Sequence, residues 1–128
     1  MKIEHIAIWC QDLERMRDFY QTYFKMTCNE KYINEKKAFS SYFLSFEDGA
    51  RLELMHRPDI SHLLSERKNF PGLTHFAISV GNKAKVDELT ELIRKDGFTV
   101  SGEPHITGDG YYESVVLDPE GNSIEITE

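Results

Sequence analysis

Apolar residues recur along the chain with two different periods, and the order of those periods repeats. From Glu4 to Cys10 the period is two: Ile6, Ile8 and Cys10 form one row and His5, Ala7 and Trp9 the other, which predicts a strand with one covered face. Asp12 then offers a side-chain acceptor to free first-turn amides, and Leu13, Met16, Phe19, Tyr20, Tyr23 and Phe24 follow at helical spacing. Alternation returns over Lys31 to Ile33, Phe39 to Phe46 and Arg51 to Met55, with Glu47-Asp48-Gly49 as the turn before the last run.

The second half repeats this plan. Thr74 to Val80 reads as a strand, Asn82 as a helix cap, Val86, Leu89, Leu92 and Ile93 as a helical stripe, and Gly97 as its stop. Thr99 to Ser101, Tyr111 to Leu117 and Ser123 to Thr127 are the remaining strands, with Asp118 to Asn122 as a turn carrying Pro119 and Gly121. Each half is therefore strand, helix and three strands. Residues 1–56 and 72–128 form the two modules, and 57–71, polar and bounded by Pro58 and Pro71, reads as a linker with one helical turn around Ser61 to Arg67. The fold class predicted is α+β, with the helices on one side of a curved mixed sheet.

Laid over each other, the halves place His5 on His75 and Ala7 on Ala77, and both histidines face away from their apolar rows. Leu52 and Leu54 flank Glu53 as Ile124 and Ile126 flank Glu125, so both glutamates also point away from the helix-covered core. A lone strand histidine is usually structural, and a glutamate between apolar strand residues usually faces solvent. Both types recurring at matched places in both halves select a different reading, in which His5, Glu53, His75 and Glu125 converge on one ion on the uncovered face. Two imidazoles and two carboxylates suit zinc, nickel, cobalt, manganese or iron(II). Such an ion polarises a carbonyl and stabilises the enediolate left when a neighbouring carbon loses its proton, and Glu125 is the carboxylate assigned to take that proton.

Composition narrows the setting. A chain of 128 residues buries a core without staples. Cys10 and Cys28 lack metal spacing and read as reduced thiols of a cytoplasmic protein. The N-terminal stretch, interrupted by Glu4, His5 and Asp12, does not read as a signal peptide, and no run is expected to span a membrane. With 15 basic and 22 acidic residues the net charge is -7, which disfavours nucleic acid and anionic membranes and favours a small-molecule substrate.

Outside the quartet, Trp9 shares the His5 face and either walls an apolar pocket or packs in an interface or core. Arg57 is placed to hold a substrate carboxylate, or is a solvated charge. His56 should point to the opposite face, His62 lies in the linker, and His105 sits in a stretch, Gly102 to Gly110, expected to form a lid. No phosphate-cradling glycine motif is present. Exposed sheet edges imply a homodimer.

Glu4-His5-Ile6-Ala7-Ile8, Asp18-Phe19-Tyr20, Arg51-Leu52-Glu53-Leu54, Thr74-His75-Phe76-Ala77-Ile78 and the run from Leu117 to Ile126 resemble the vicinal oxygen chelate superfamily, over essentially the whole chain. That superfamily includes glyoxalase I, bleomycin-resistance proteins, extradiol dioxygenases and methylmalonyl-CoA epimerase. The resemblance implies paired βαβββ modules forming a cup-shaped sheet around a divalent metal, helices on the convex face, often in a homodimer. The order His, Glu, His, Glu is most similar to bacterial-type glyoxalase I, the lactoylglutathione lyase that isomerises the hemithioacetal of methylglyoxal and glutathione. On that likeness His5, Glu53, His75 and Glu125 match the metal ligands, Glu125 matches the catalytic carboxylate, and Glu53 shares the work on the other face. The alternatives are an epimerase or dioxygenase of the same superfamily, or a non-catalytic drug-sequestering protein. Trp9 and Arg57 stand where glyoxalase I usually has an arginine and an asparagine serving glutathione. The likeness therefore implies the proton transfer more strongly than it implies glutathione.

Overall fold

The computed structural model of the chain describes residues 1–60 and 71–128 and divides into two compact units, Met1–Leu64 and Ser65–Glu128. The first contains β1 (His5–Trp9), α1 (Leu13–Phe24), β2 (Thr27–Cys28), β3 (Tyr32–Asn34), β4 (Phe39–Ser45) and β5 (Arg51–His56), with a 3-10 turn at Glu35–Lys37. Its strands run in the order β1-β5-β4-β2, with β3 paired to β4; β1 and β5 are parallel and the other pairs antiparallel. The second contains β6 (Phe76–Ser79), α2 (Lys83–Lys95), β7 (Val100–Ile106), β8 (Tyr112–Leu117) and β9 (Ser123–Thr127), in the order β6-β9-β8-β7 with β6 and β9 parallel.

The repeated α+β plan is borne out, but as two mixed sheets, one per module. In each, the first strand pairs with the module's own last strand, and the residue after it extends the ladder: Cys10 N–H donates to the Met55 carbonyl and Val80 N–H to the Thr127 carbonyl, both at 2.7 Å. Each module's strands thus pair among themselves, leaving β1 and β6 as edges of their sheets. β2 has two residues, too few for alternation to announce it.

Each helix covers one face of its own sheet. The Asp12 side chain accepts from Arg15 N–H at 3.0 Å, and Leu13, Met16, Phe19, Tyr20 and Phe24 are buried, as are Leu44, Leu52 and Leu54 on the strands. Asn82 caps α2 in the same way, accepting from Lys85 N–H at 3.0 Å, and Val86 and Ile93 are buried along with Val116, Ile124 and Ile126. Burying side chains of this size contributes about 1.5–3 kcal/mol each. Gly97, at φ +88°, closes the second helix: its N–H donates to the Arg94 carbonyl at 3.0 Å and Phe98 N–H to the Ile93 carbonyl at 3.2 Å.

Two expectations are corrected. Leu92 is exposed, and Thr90 takes the buried place in the α2 stripe. Six residues from Val86, Leu92 falls about a third of a turn off the line of Val86, Thr90 and Ile93. The Thr90 hydroxyl is satisfied inside, donating to the Val86 carbonyl and meeting the Ser114 hydroxyl, each at 2.6 Å. The stretch Gly102 to Gly110 is also no continuous loop, because β7 runs through to Ile106. β7 is an edge strand with two register shifts, so Pro104, which lacks an N–H, is tolerated there. What remains is a tight turn, with Thr107 N–H donating to the Tyr111 carbonyl at 2.8 Å.

The helical turn expected around Ser61 to Arg67, and His62, lie outside the described residues. Cys10 is buried, Cys28 half-buried, and both are free thiols. Among the described residues no helix is long and apolar enough to cross a membrane.

Candidate functional site

Strand register brings each histidine to its glutamate. In the first module Ala7 lies opposite Glu53 on the parallel strand, and His5 stands two residues earlier on the same face. The small alanine leaves the Glu53 side chain room to lean towards the imidazole, and His5 Nε2 lies 3.8 Å from Glu53 Oε2. In the second module Ala77 lies opposite Glu125, and His75 Nε2 comes within 3.3 Å of Glu125 Oε2. The glutamates are the deeper members, 14% and 17% exposed, beneath histidines that are 40% and 44% exposed.

This donor set fits a divalent transition metal. Two ligands bound to one such ion at about 2.0–2.2 Å are held roughly 3–3.5 Å apart; the 3.3 Å separation falls within that span and the 3.8 Å one just beyond it. Within each unit the described residues offer two ligands and no larger cluster of His, Cys, Asp or Glu able to hold an ion. Each module presents one imidazole above one carboxylate.

Surroundings differ between the pairs. His5 Nδ1 lies 2.5 Å from Glu4 Oε2, and Arg51 Nη2 lies 2.5 Å from the other oxygen of that carboxylate. These contacts, the His5 bond first, hold the Glu4 carboxyl below its ordinary range. Beyond them, Trp9 is half exposed, edge-on to Phe39 at 6.3 Å, with the Arg57 guanidinium 5.5 Å from the centre of its ring. Arg57 is gripped by Asp59 through both Nε (2.8 Å) and Nη2 (2.5 Å). Trp9 and Arg57 therefore lie together beyond the His5/Glu53 pair, the arginine fork already engaged.

In the second module a cavity of about 400 Å³ is lined by Thr107, Asp109, Tyr111, Glu113, Glu125 and Thr127. Glu113, which sequence reasoning passed over, stands on β8 next to Glu125. Burial first, then the Glu125 charge and a hydrogen bond to it, push the Glu113 carboxyl above its ordinary range. Its signal was available: Ser114 and Val116 point to the core, so Glu113 and Val115 must share the face of Glu125, and Val115 is paired with Glu125. Among the described residues, His56 and His105 belong to neither pair. His56 turns to the opposite face, where its Nδ1 lies 2.9 Å from the Cys10 carbonyl; His105 is exposed on β7, its Nδ1 2.9 Å from the Glu103 carbonyl.

Residues 2–126 match the profile of the Glyoxalase/Bleomycin resistance protein/Dioxygenase superfamily. The chain is 26% identical over 127 residues to the uncharacterised protein YqjT of Bacillus subtilis (strain 168), covering 97% of this chain and 96% of that one. Among solved structures, glyoxalase I from Zea mays superposes with a TM-score of 0.79 at 22% identity, over 98% of this chain and 44% of the maize one. The trypanothione-dependent glyoxalase I of Leishmania major gives 0.77 at 24% identity, over 100% and 86%. A possible glyoxalase from Bacillus cereus gives 0.73 at 26%, over 100% and 99%. This chain thus spans less than half the maize enzyme's length and 86–99% of the others.

Proposed function

From the premise that this chain belongs to the Glyoxalase/Bleomycin resistance protein/Dioxygenase superfamily, we propose that it is a metal-dependent lyase or isomerase of the glyoxalase I type. It would move a proton on a chelated hemithioacetal or related α-hydroxycarbonyl. One observation carries this reading: the same imidazole-over-carboxylate pair is built into each module, at 3.8 and 3.3 Å, at matched register. His5, Glu53, His75 and Glu125 would together hold one divalent transition metal. When bound, that ion supplies Lewis acidity, polarising the substrate carbonyl and lowering the cost of removing the neighbouring proton.

The protein's own groups do the rest. Glu125 takes the proton from the substrate carbon on its carboxylate and returns it to the adjacent carbon, while Glu53 serves the opposite face of the substrate. Trp9 gives an apolar wall. Arg57 exchanges Asp59 for a substrate carboxylate. As in many members of the superfamily, a homodimer is the working form, acting on a small molecule, and two free thiols favour a reducing, cytoplasmic setting.

A second reading keeps the fold and changes the chemistry and the substrate. The cavity beside Glu125 adds Asp109 and Glu113 and has no cationic lining residue, which disfavours a tail bearing carboxylates such as glutathione. An epimerase or dioxygenase of the superfamily, or a drug-sequestering protein, would meet that condition. Metal analysis of the purified protein, followed by assays of methylglyoxal with glutathione and then with other low-molecular-weight thiols, separates these cases. Stoichiometric nickel, zinc or cobalt with thiol-dependent loss of methylglyoxal is the expected result; no stoichiometric metal after loading would overturn both catalytic readings.

A further inference from the structure

We propose that Glu4 is the positioning residue of His5, holding the imidazole so that Nε2 presents its lone pair to the ion that it would share with Glu53. This rests on the metal-dependent reading above and assigns a role to a residue outside the ligand quartet.

A carboxylate only accepts hydrogen bonds, so at 2.5 Å from Glu4 Oε2 the His5 Nδ1 must be the donor. In the neutral ring the lone pair then sits on Nε2. That nitrogen faces Glu53 Oε2 across 3.8 Å, beyond hydrogen-bond length. Two electron-rich atoms aimed at each other across such a gap are stabilised by a cation between them.

Glu4 can do this because of where the strand begins. Adjacent residues within a strand point to opposite faces, yet Glu4 immediately precedes β1 and is free of that alternation. Its carboxylate reaches back to its neighbour and is itself anchored. Arg51 Nη2 holds Oε1 at 2.5 Å, and Arg51 N–H donates to the Glu4 carbonyl at 2.9 Å. The Arg51 guanidinium lies 4.1 Å from the centre of the Phe43 ring, and Phe43 meets the His5 ring edge-on at 5.5 Å and 87°. Glu4, His5, Phe43 and Arg51 thus close a circuit that fixes the imidazole plane from two sides.

None of these parts recurs in the second module. Thr74 precedes His75, Ser123 holds the place of Arg51, and Val115 holds the place of Phe43. The circuit is also too exposed to be explained as a stabilising ion pair, since side chains open to solvent gain little from pairing. Carboxylates behind metal-bound histidines, by contrast, typically change metal affinity by 10–100-fold.

The test uses the full chain, stripped of metal and titrated with cobalt(II), reading affinity by chelator competition together with the visible absorption of the bound ion. Glu4→Ala is expected to weaken cobalt binding 10–100-fold and to change the cobalt spectrum, while the metal-free Tm moves by only a few degrees. Glu4→Gln, which keeps an acceptor oxygen, should recover part of the affinity, and Thr74→Ala should leave it unchanged. Cobalt affinity within twofold of the parent for Glu4→Ala, with an unchanged spectrum, would overturn the assignment and leave the metal-dependent reading standing. Failure of the parent chain itself to bind cobalt would overturn both.

Discussion

Around their shared His/Glu pair, the two modules fill matched positions with opposite chemistry. Where β1 and β5 set Trp9 beside Met55, β6 and β9 set Ser79 beside Thr127; where β4 carries Ser41, β8 carries Glu113. Phe39 extends the apolar end of the first module, and Asp109 the acidic cavity of the second. The helix-to-sheet contacts diverge as well. In the first, Tyr42 meets Glu14 and Arg17; in the second, the matched Ser114 meets the neutral Thr90 hydroxyl. The pairing of imidazole with carboxylate is kept in both modules, while everything that would touch substrate or tune the pair has separated. A repeat of this kind holds its common chemistry fixed and specialises its walls.

The largest break in the comparison should come from the glutamates themselves. Glu125→Gln is expected to lower kcat by about 10²–10⁴-fold, the usual range for losing a positioned proton carrier, with Glu53→Gln lowering it less. The measurement is turnover of methylglyoxal with whichever thiol the protein accepts, on samples matched for metal content. Equal losses would make the modules catalytically equivalent. Full turnover in Glu125→Gln would remove it as the proton carrier.

On stability the modules should behave alike at their cores. Leu54 and Ile126 occupy the same place, each fully buried beneath its helix and each opposite an isoleucine on the first strand of its module, Ile8 or Ile78. Truncating either to alanine leaves a cavity and should cost about 2–5 kcal/mol by urea denaturation. A much smaller loss in one module would mean that its core collapses around the gap, and the likeness of the two would not extend to packing.

A smaller effect distinguishes the polar contacts. Thr90→Val leaves the buried Ser114 hydroxyl without its partner and should cost about 1–3 kcal/mol in the same assay. Tyr42→Phe should cost less than about 1 kcal/mol, because its partners, Glu14 and Arg17, retain each other and reach water.

How far the sequence reveals these features depends on whether a local rule governs them. Strand alternation is a strict period of two, so the faces of His5, Glu53, His75 and Glu125 follow from their apolar neighbours, and the structure brings each pair together. Glu113 obeys the same rule and could have been read from it. Glu4 could not, since it sits one residue outside β1, where alternation has no hold. Thr90 defeats a reading based on hydrophobicity, because its hydroxyl finds two partners inside. Gly102, Pro104, Gly108 and Gly110 look like a loop, but an edge strand accepts proline and bulges, so β7 runs further than composition suggests. Neither is the division into two sheets written locally, since it depends on which partner the first strand of each module finds.

The finest test of the contrast is its response to acid. Lys31, hydrogen-bonded to Glu14 at 2.7 Å, is the main cause holding that carboxyl below its ordinary value of 4.5, with Tyr42 and Arg17 assisting against the opposing effect of burial. A carboxyl with a lowered folded-state value stabilises the fold at pH above 4.5, and that contribution is lost as pH falls through the lowered value. The Thr90 to Ser114 contact carries no charge and has no such dependence. Thermal melts from about pH 7 down to about pH 3 should therefore find Glu14→Gln less stable than the parent at neutral pH and converging with it in acid. Thr90→Val should stay displaced by the same amount throughout. If the Glu14→Gln difference does not shrink on acidification, the charged network is not what ties α1 to its sheet, and each module relies on apolar packing alone to hold its helix.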